Sequence, residues 1–165
     1  SQYVLDLGTG CGIIAITLAM ERHSWKIEGL DIQPHLIELA KCNAELCSLN
    51  IKFHLANLCT FTAETPYTLI LSNPPWQPLG TGKISPYPSK NISHFELLCS
   101  LPDILSFLVR NLAPEGDALL LYPDFRIFEL QTLIPKTPLD IFDLTPCVDL
   151  DKYYICHIRC KGTKQ

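Results

Sequence analysis

The chain has 165 residues, 47% of them hydrophobic and 18% charged, with a formal net charge of −4. That length suits a single domain spanning residues 1–165, and that apolar share supports a packed core rather than a disordered chain. No apolar run nears the ~20 residues a membrane-crossing helix needs, no basic-then-apolar leader stands at the front, and the acidic balance runs mildly against a stand-alone nucleic-acid binder, which carries a basic face.

The elements follow in chain order. Tyr3–Leu7 is a short apolar run that ends in Gly8-Thr9-Gly10-Cys11-Gly12. Because this strand has nothing in front of it, the chain is expected to be either a minimal domain or one lacking an N-terminal portion. Residues 13–20 read as a buried helix and Lys26–Asp31 as a second strand. Pro34 opens a helix where a missing N–H costs nothing. Its stripe is Leu36, Leu39, Ala40 and Cys47, widened by Ile37, Ala44 and Leu46, with Asn50 as the stop. Residues 51–56 and 67–71 are the third and fourth strands, and residues 73–93 form a loop dense in Pro, Gly and Ser.

Leucines at 98, 101, 105, 108 and 112 then mark a helix, but Pro102 breaks its middle. Ser100 and Asp103 therefore predict a fresh N-terminal cap. Residues 113–116 predict a turn leading to a strand over 118–122, followed by a helix over 125–134 and strands over 139–144 and Tyr153–Cys160. Alternating strands and helices imply a Rossmann-like α/β fold, doubly wound, with a mostly parallel sheet of about seven strands. Only a turn separates the last two strands, so the final one is expected to insert antiparallel.

Eight cysteines stand at 11, 42, 47, 59, 99, 147, 156 and 160 without a CxxC pair. In a strand, His157 points away from the face shared by Cys156 and Cys160, so no metal site is expected. The cysteines are read as small buried hydrophobes, reduced as in a cytoplasm. His23, His35, His54 and His157 receive no role.

A strand, a glycine-rich turn and a helix form a device for holding an adenosine cofactor at the sheet's carboxyl edge. Gly10-Cys11-Gly12-Ile13-Ile14-Ala15 satisfies the G-x-G-x-x-A dinucleotide pattern, with Asp31 at ribose distance, so this stretch alone leaves NAD open. The longer string Asp6-Leu7-Gly8-Thr9-Gly10-Cys11-Gly12 resembles the first motif of class I S-adenosylmethionine-dependent methyltransferases. The resemblance implies that Gly8, Thr9, Gly10 and Gly12 make room for the amino-acid end of S-adenosylmethionine and that Asp6 helps hold its ammonium. It implies further that Asp31, with Ile32, takes the ribose hydroxyls, and that Asn57 and Leu58 flank the adenine, Asn57 accepting through its amide oxygen.

Ser72-Asn73-Pro74-Pro75-Trp76 follows the fourth strand. It resembles the (N/D/S)-P-P-(Y/F/W) motif of enzymes that methylate exocyclic amino groups and glutamine amides. The lone pair of such a nitrogen is delocalised and must be aimed at the methyl. The resemblance implies that the Asn73 oxygen and the Pro74 carbonyl each accept an N–H, that Pro75 helps stiffen the loop, and that Trp76 offers a stacking face. A dehydrogenase has no use for this tetrapeptide, which decides for S-adenosylmethionine over NAD.

The chain is similar from Val4 to about Gly162 to small-domain bacterial tRNA N(6)-adenine methyltransferases. Ser93-His94-Phe95-Glu96 and the Lys161-Gly162 ending carry that likeness. The expectation is therefore methylation of a base in RNA, adenine foremost, with the base everted into the pocket. Lys83, Tyr87, Lys90 and Glu96 are weaker substrate-side candidates. The alternative substrate is a protein glutamine, though no Gly-Gly-x-Asp-Gly segment follows Trp76. A non-catalytic cofactor-binding or scaffold subunit is the alternative from another class.

Overall fold

In the computed structural model, residues 1–73, 100–148 and 150–162 are described. Seven strands form one sheet: β1 (Tyr3–Leu7), β2 (Lys26–Asp31), β3 (Lys52–Leu55), β4 (Tyr67–Ser72), β5 (Leu112–Pro123), β6 (Leu139–Pro146) and β7 (Tyr153–Cys160). Their order is β3-β2-β1-β4-β5-β7-β6. The pairs from β3 through β5 are parallel, while β7 runs antiparallel to both neighbours, as the short connection before it requires. Four α-helices, α1 (Ile13–Glu21), α2 (Pro34–Leu46), α3 (Leu101–Asn111) and α4 (Ile127–Leu133), and two 3-10 turns at Asp124–Arg126 and Ile134–Lys136 complete the described fold.

Strand alternation sorts side chains between the two faces. Leu5, Leu7 and Leu30 join Leu101, Leu105, Leu108, Leu120, Leu130 and Ile158 in the main core, on the α3 and α4 side. Val4 and Ile27 face the other way, packing with Ala15 of α1 in a much smaller cluster. Within the main face, Glu28 of β2 is buried and accepts hydrogen bonds from Tyr67 Oη at 3.0 Å and His54 Nε2 at 2.7 Å. Burial acts to raise its carboxyl, but these donors outweigh burial and hold it below the usual carboxylate range. His54 thus has a structural task that the sequence did not suggest.

Several expected elements are corrected. α1 is only half buried: Ile13 and Met20 are exposed, and only Ala15 and Ile16 are fully enclosed, because no described element covers its outer side. α2 buries Ile37, Ala40 and Ala44, whereas Leu39 and Leu46 face solvent. It also ends before Asn50, because Ser48 adopts a left-handed φ of 55° and Leu49 N–H returns to the Ala44 carbonyl at 2.9 Å. The turn expected over residues 113–116 lies inside β5. Tyr67 pairs with Leu112 and Leu69 with Asp117, so the intervening residues of β5 bulge out of the ladder. Of the described cysteines, only Cys156 is buried; Cys42, Cys47 and Cys59 are exposed thiols and not small core hydrophobes.

The cap before α3 is as expected. Ser100 N–H and Oγ both donate to Asp103 Oδ2, at 2.8 and 2.6 Å, in a capping box. These bonds hold the Asp103 carboxyl below its ordinary range. Asp103→Ala is therefore expected to lower stability by about 1 kcal/mol, read as a lower urea midpoint with an unchanged m value; an unchanged midpoint contradicts the cap.

Candidate functional site

Parallel strands deliver their following loops to one edge, and register decides which residues meet there. Leu7 is level with Leu30 on one side and with Ser72 on the other. Gly8, Asp31 and Asn73 are therefore the next residues in one row across β1, β2 and β4. Two strand spacings separate the outer pair, roughly 10 Å.

The turn after β1 is pinned to β2 by its main chain, since Gly8 N–H and Thr9 N–H both donate to the Leu30 carbonyl, at 2.8 and 3.0 Å. Gly8, Gly10 and Gly12 all have positive φ, at 76°, 55° and 86°, which favours glycine at each. Their surroundings differ. A Cβ on Gly12 would press on Ala40, Phe53 and Ile16 at 3.1 to 3.3 Å, whereas a Cβ on Gly8 or Gly10 would meet nothing within 4 Å. Gly12 thus serves close packing, and the other two border open space.

Asp31 spans this turn and the next. Its Oδ2 accepts Gly10 N–H at 2.9 Å and its Oδ1 accepts Gln33 N–H at 2.9 Å, leaving each oxygen a lone pair. Ile32 beside it is half buried. Ala56 N–H donates to the Asp31 carbonyl at 3.0 Å, which brings the turn after β3 to the same edge. There Asn57 is exposed, and its Oδ1 already accepts Cys59 N–H at 2.8 Å. Leu58 is half buried against the main core.

Asp6, the penultimate residue of β1, is 1% exposed. Its Oδ2 accepts Thr9 Oγ1 at 2.7 Å and Ala15 N–H at 3.2 Å, while Oδ1 has no partner. Burial pushes this carboxyl up from 3.8 to about 6, against the lowering bonds from Thr9 and Ala15, with the charge of Asp31 adding to the rise.

The structure brings Asp6, Gly8, Thr9, Gly10, Gly12, Asp31, Ile32, Asn57, Leu58 and Asn73 to one edge of the sheet. Pro74, Pro75, Trp76, Lys83, Tyr87, Lys90 and Glu96 lie outside the described residues. Sequence reasoning passed over Gln33, which is 6% exposed with an unpartnered Oε1; the Asp31-x-Gln33-Pro34 spacing, which sets it at the turn into α2, was the available signal. Among the described residues no three His, Cys, Asp or Glu side chains gather as metal ligands, and no helix is long and apolar enough to cross a membrane.

Residues 1–83 match the family model described as "Methyltransferase small domain". A tRNA1(Val) (adenine(37)-N6)-methyltransferase of Phocaeicola vulgatus is 30% identical over 118 residues, 70% of this chain and 49% of that protein. A release factor glutamine methyltransferase of Bacillus subtilis is 37% identical over 75 residues, 44% of this chain and 26% of that protein. The chain thus spans between a quarter and a half of these curated relatives. In fold it is similar to a ribosomal protein L11 methylase of Lactobacillus delbrueckii, with a TM-score of 0.72 at 18% identity over 98% of this chain and 71% of the other. It is likewise similar to TrmN of Thermus thermophilus, with a TM-score of 0.67 at 22% identity over 95% and 43%.

The carboxyl of Asp6 makes stability depend on pH. Its folded value of about 6 exceeds its unfolded value, so the unfolded chain ionises first and stability falls as pH rises from about 4 to 6. The loss is on the order of 3 kcal/mol. Asp6→Asn is expected to be less pH-dependent than the parent across that window by this amount. Urea melts at pH 4 and pH 7 measure the difference, and parallel curves for the two proteins contradict it.

Proposed function

Because the chain belongs to the methyltransferase small-domain family, we propose that it binds S-adenosylmethionine at this edge and directs methyl transfer to a planar nitrogen held by Asn73. The observation that carries the reading is the register of Leu7 with Leu30 and Ser72, which puts Gly8, Asp31 and Asn73 next in line at the carboxyl ends of three adjacent parallel strands. The first two belong to the cofactor half of the resemblance and the third to the substrate half.

The residues present suit the cofactor. Space lies open above Gly8 and Gly10, the Asp31 oxygens keep two lone pairs for a vicinal diol, and the buried Asp6 oxygen lacks a donor. Bound there, the cofactor supplies an electrophilic methyl on a sulfonium. The protein's own part is orientation. Asn73 is exposed directly after β4, where its oxygen accepts one N–H of the substrate and turns the nitrogen lone pair toward the methyl. No general base is needed before attack, because the proton becomes acidic only once the nitrogen carries the methyl group.

For the substrate we take a base in RNA, adenine foremost, on the strength of Ser93-His94-Phe95-Glu96 and of relatives that bear tRNA adenine-methylating names. Seven free thiols among the described cysteines suit a reducing cytoplasm.

One observation favours a second reading, a protein glutamine. Phosphate contacts need cations, yet the described carboxyl edge offers exposed Lys152 against exposed Asp124 and Asp151, while Arg126 is buried and paired with Glu129 at 2.6 Å. Arg110 reaches the turn after β3 but is tied there to the Leu58 and Cys59 carbonyls, at 2.8 and 3.2 Å, and Lys26, Lys52, Lys136 and Lys161 stand at the opposite, amino end of the parallel strands. An RNA substrate therefore depends on Lys83, Lys90 or residues outside this chain.

Labelled S-adenosylmethionine offered with bulk tRNA and, separately, with a release factor tests both readings. Transfer to tRNA supports the first, transfer to release factor the second, and a chain that binds no cofactor overturns both. Asn73→Ala is expected to lose at least a hundredfold in kcat while its Kd for the cofactor stays within about twofold; unchanged turnover overturns the assigned role.

A further inference from the structure

We propose that the Gln33 carboxamide is a second partner for the ribose hydroxyls, beside Asp31, and so helps select a cofactor bearing the intact diol. This rests on the cofactor reading above and extends it to a residue that no motif assigns.

Gln33 sits between β2 and α2, two residues beyond Asp31. Its main chain is fully employed: N–H donates to Asp31 Oδ1 at 2.9 Å, and C=O accepts Leu36 N–H at 3.2 Å and Ile37 N–H at 3.1 Å. Its side chain has no such work. It stands at the N-cap position of α2 but makes no capping bond, and Oε1 is buried without a partner. A buried acceptor left unpaired costs about 1–3 kcal/mol, and an aliphatic residue would fill the same volume without that cost. The amide therefore needs a different explanation.

A ligand donor supplies it. Gln33 N–H is bonded to the carboxylate oxygen that must also receive a hydroxyl, which sets the residue next to the ribose site. Asp31 only accepts, whereas each hydroxyl both donates and accepts. A diol that donates to Asp31 still has unfilled capacity, and a carboxamide offers both an acceptor and a donor. Either orientation of the amide therefore has a group that suits a hydroxyl.

Isothermal titration with S-adenosylhomocysteine and its 2′-deoxy and 3′-deoxy analogues separates the possibilities, using the parent, Gln33→Ala and Gln33→Leu. The leucine variant keeps the packing volume and guards against a folding defect in the alanine variant. Both variants are expected to bind S-adenosylhomocysteine about tenfold more weakly than the parent does. With the analogue lacking the hydroxyl that Gln33 meets, parent and variants are expected to agree within about twofold. The same loss on all three ligands, or no loss on S-adenosylhomocysteine, overturns the role of Gln33 and leaves the cofactor reading standing. A parent chain that binds none of the three overturns both.

Discussion

One carboxylate joins the loops that make this edge a site. Asp31 takes a hydrogen bond from Gly10 on one oxygen and from Gln33 on the other, so the turn after β1 and the turn after β2 cannot drift apart without breaking a charge-assisted bond, a stronger kind than its neutral counterpart. Its own carbonyl accepts from Ala56, which adds the turn after β3. Three loops from three adjacent strands are thus referred to one residue. Loops without such a tie are the mobile parts of a fold.

The same geometry explains why Asp6 is tolerated near the carboxyl end of β1. Its Oδ2 fixes Thr9 and the first turn of α1, so the helix begins where the glycine turn ends. Satisfying only one oxygen leaves the other buried and alone, a cost the folded chain carries continuously. Buried polar groups left in that state mark places where stability has been exchanged for function. Asp6 and Gln33 are two of the few such groups among the described residues, and both line the loops that Asp31 ties together.

Much of this was legible from residues whose local demands are strong. Glycines before a helix, Pro34 at a first helical turn and Ser100 with Asp103 ahead of Pro102 each have few structural solutions, and the strands at Lys26–Asp31 and Tyr153–Cys160 carry matching apolar patterns. The misreadings share a cause. Where α2 stops depends on Ser48 adopting a conformation that glycine usually takes, and the β5 bulge depends on its pairing with β4. Burial of α1 depends on what lies outside it, which periodicity cannot report. Within the site, the chemistry-bearing residues were identifiable because motif spacing constrains them, but Gln33 was not. Its significance lies in the partner its side chain lacks, which only coordinates reveal.

The two faces of the sheet are unequal, and this returns to Asp31. On the α3 and α4 side a continuous core from Leu5 to Ile158 makes the strands rigid. On the α1 and α2 side, among the described residues, only Val4, Ala15 and Ile27 form a fully buried cluster, Leu69 and Leu71 are half exposed, and the β5–β7 portion carries Asp117 bonded to His157 and Arg159. Arg159 there lies 3.8 Å from the centre of the exposed Phe142 ring. The glycine turn and α1 stand over this thinner side, where packing gives limited hold. Directional bonds to Asp31 and Asp6 supply what dispersion does not, so the site's shape is set by two carboxylates on a floor backed by the opposite core. A loss of either carboxylate should therefore loosen the turn locally while leaving the far core intact.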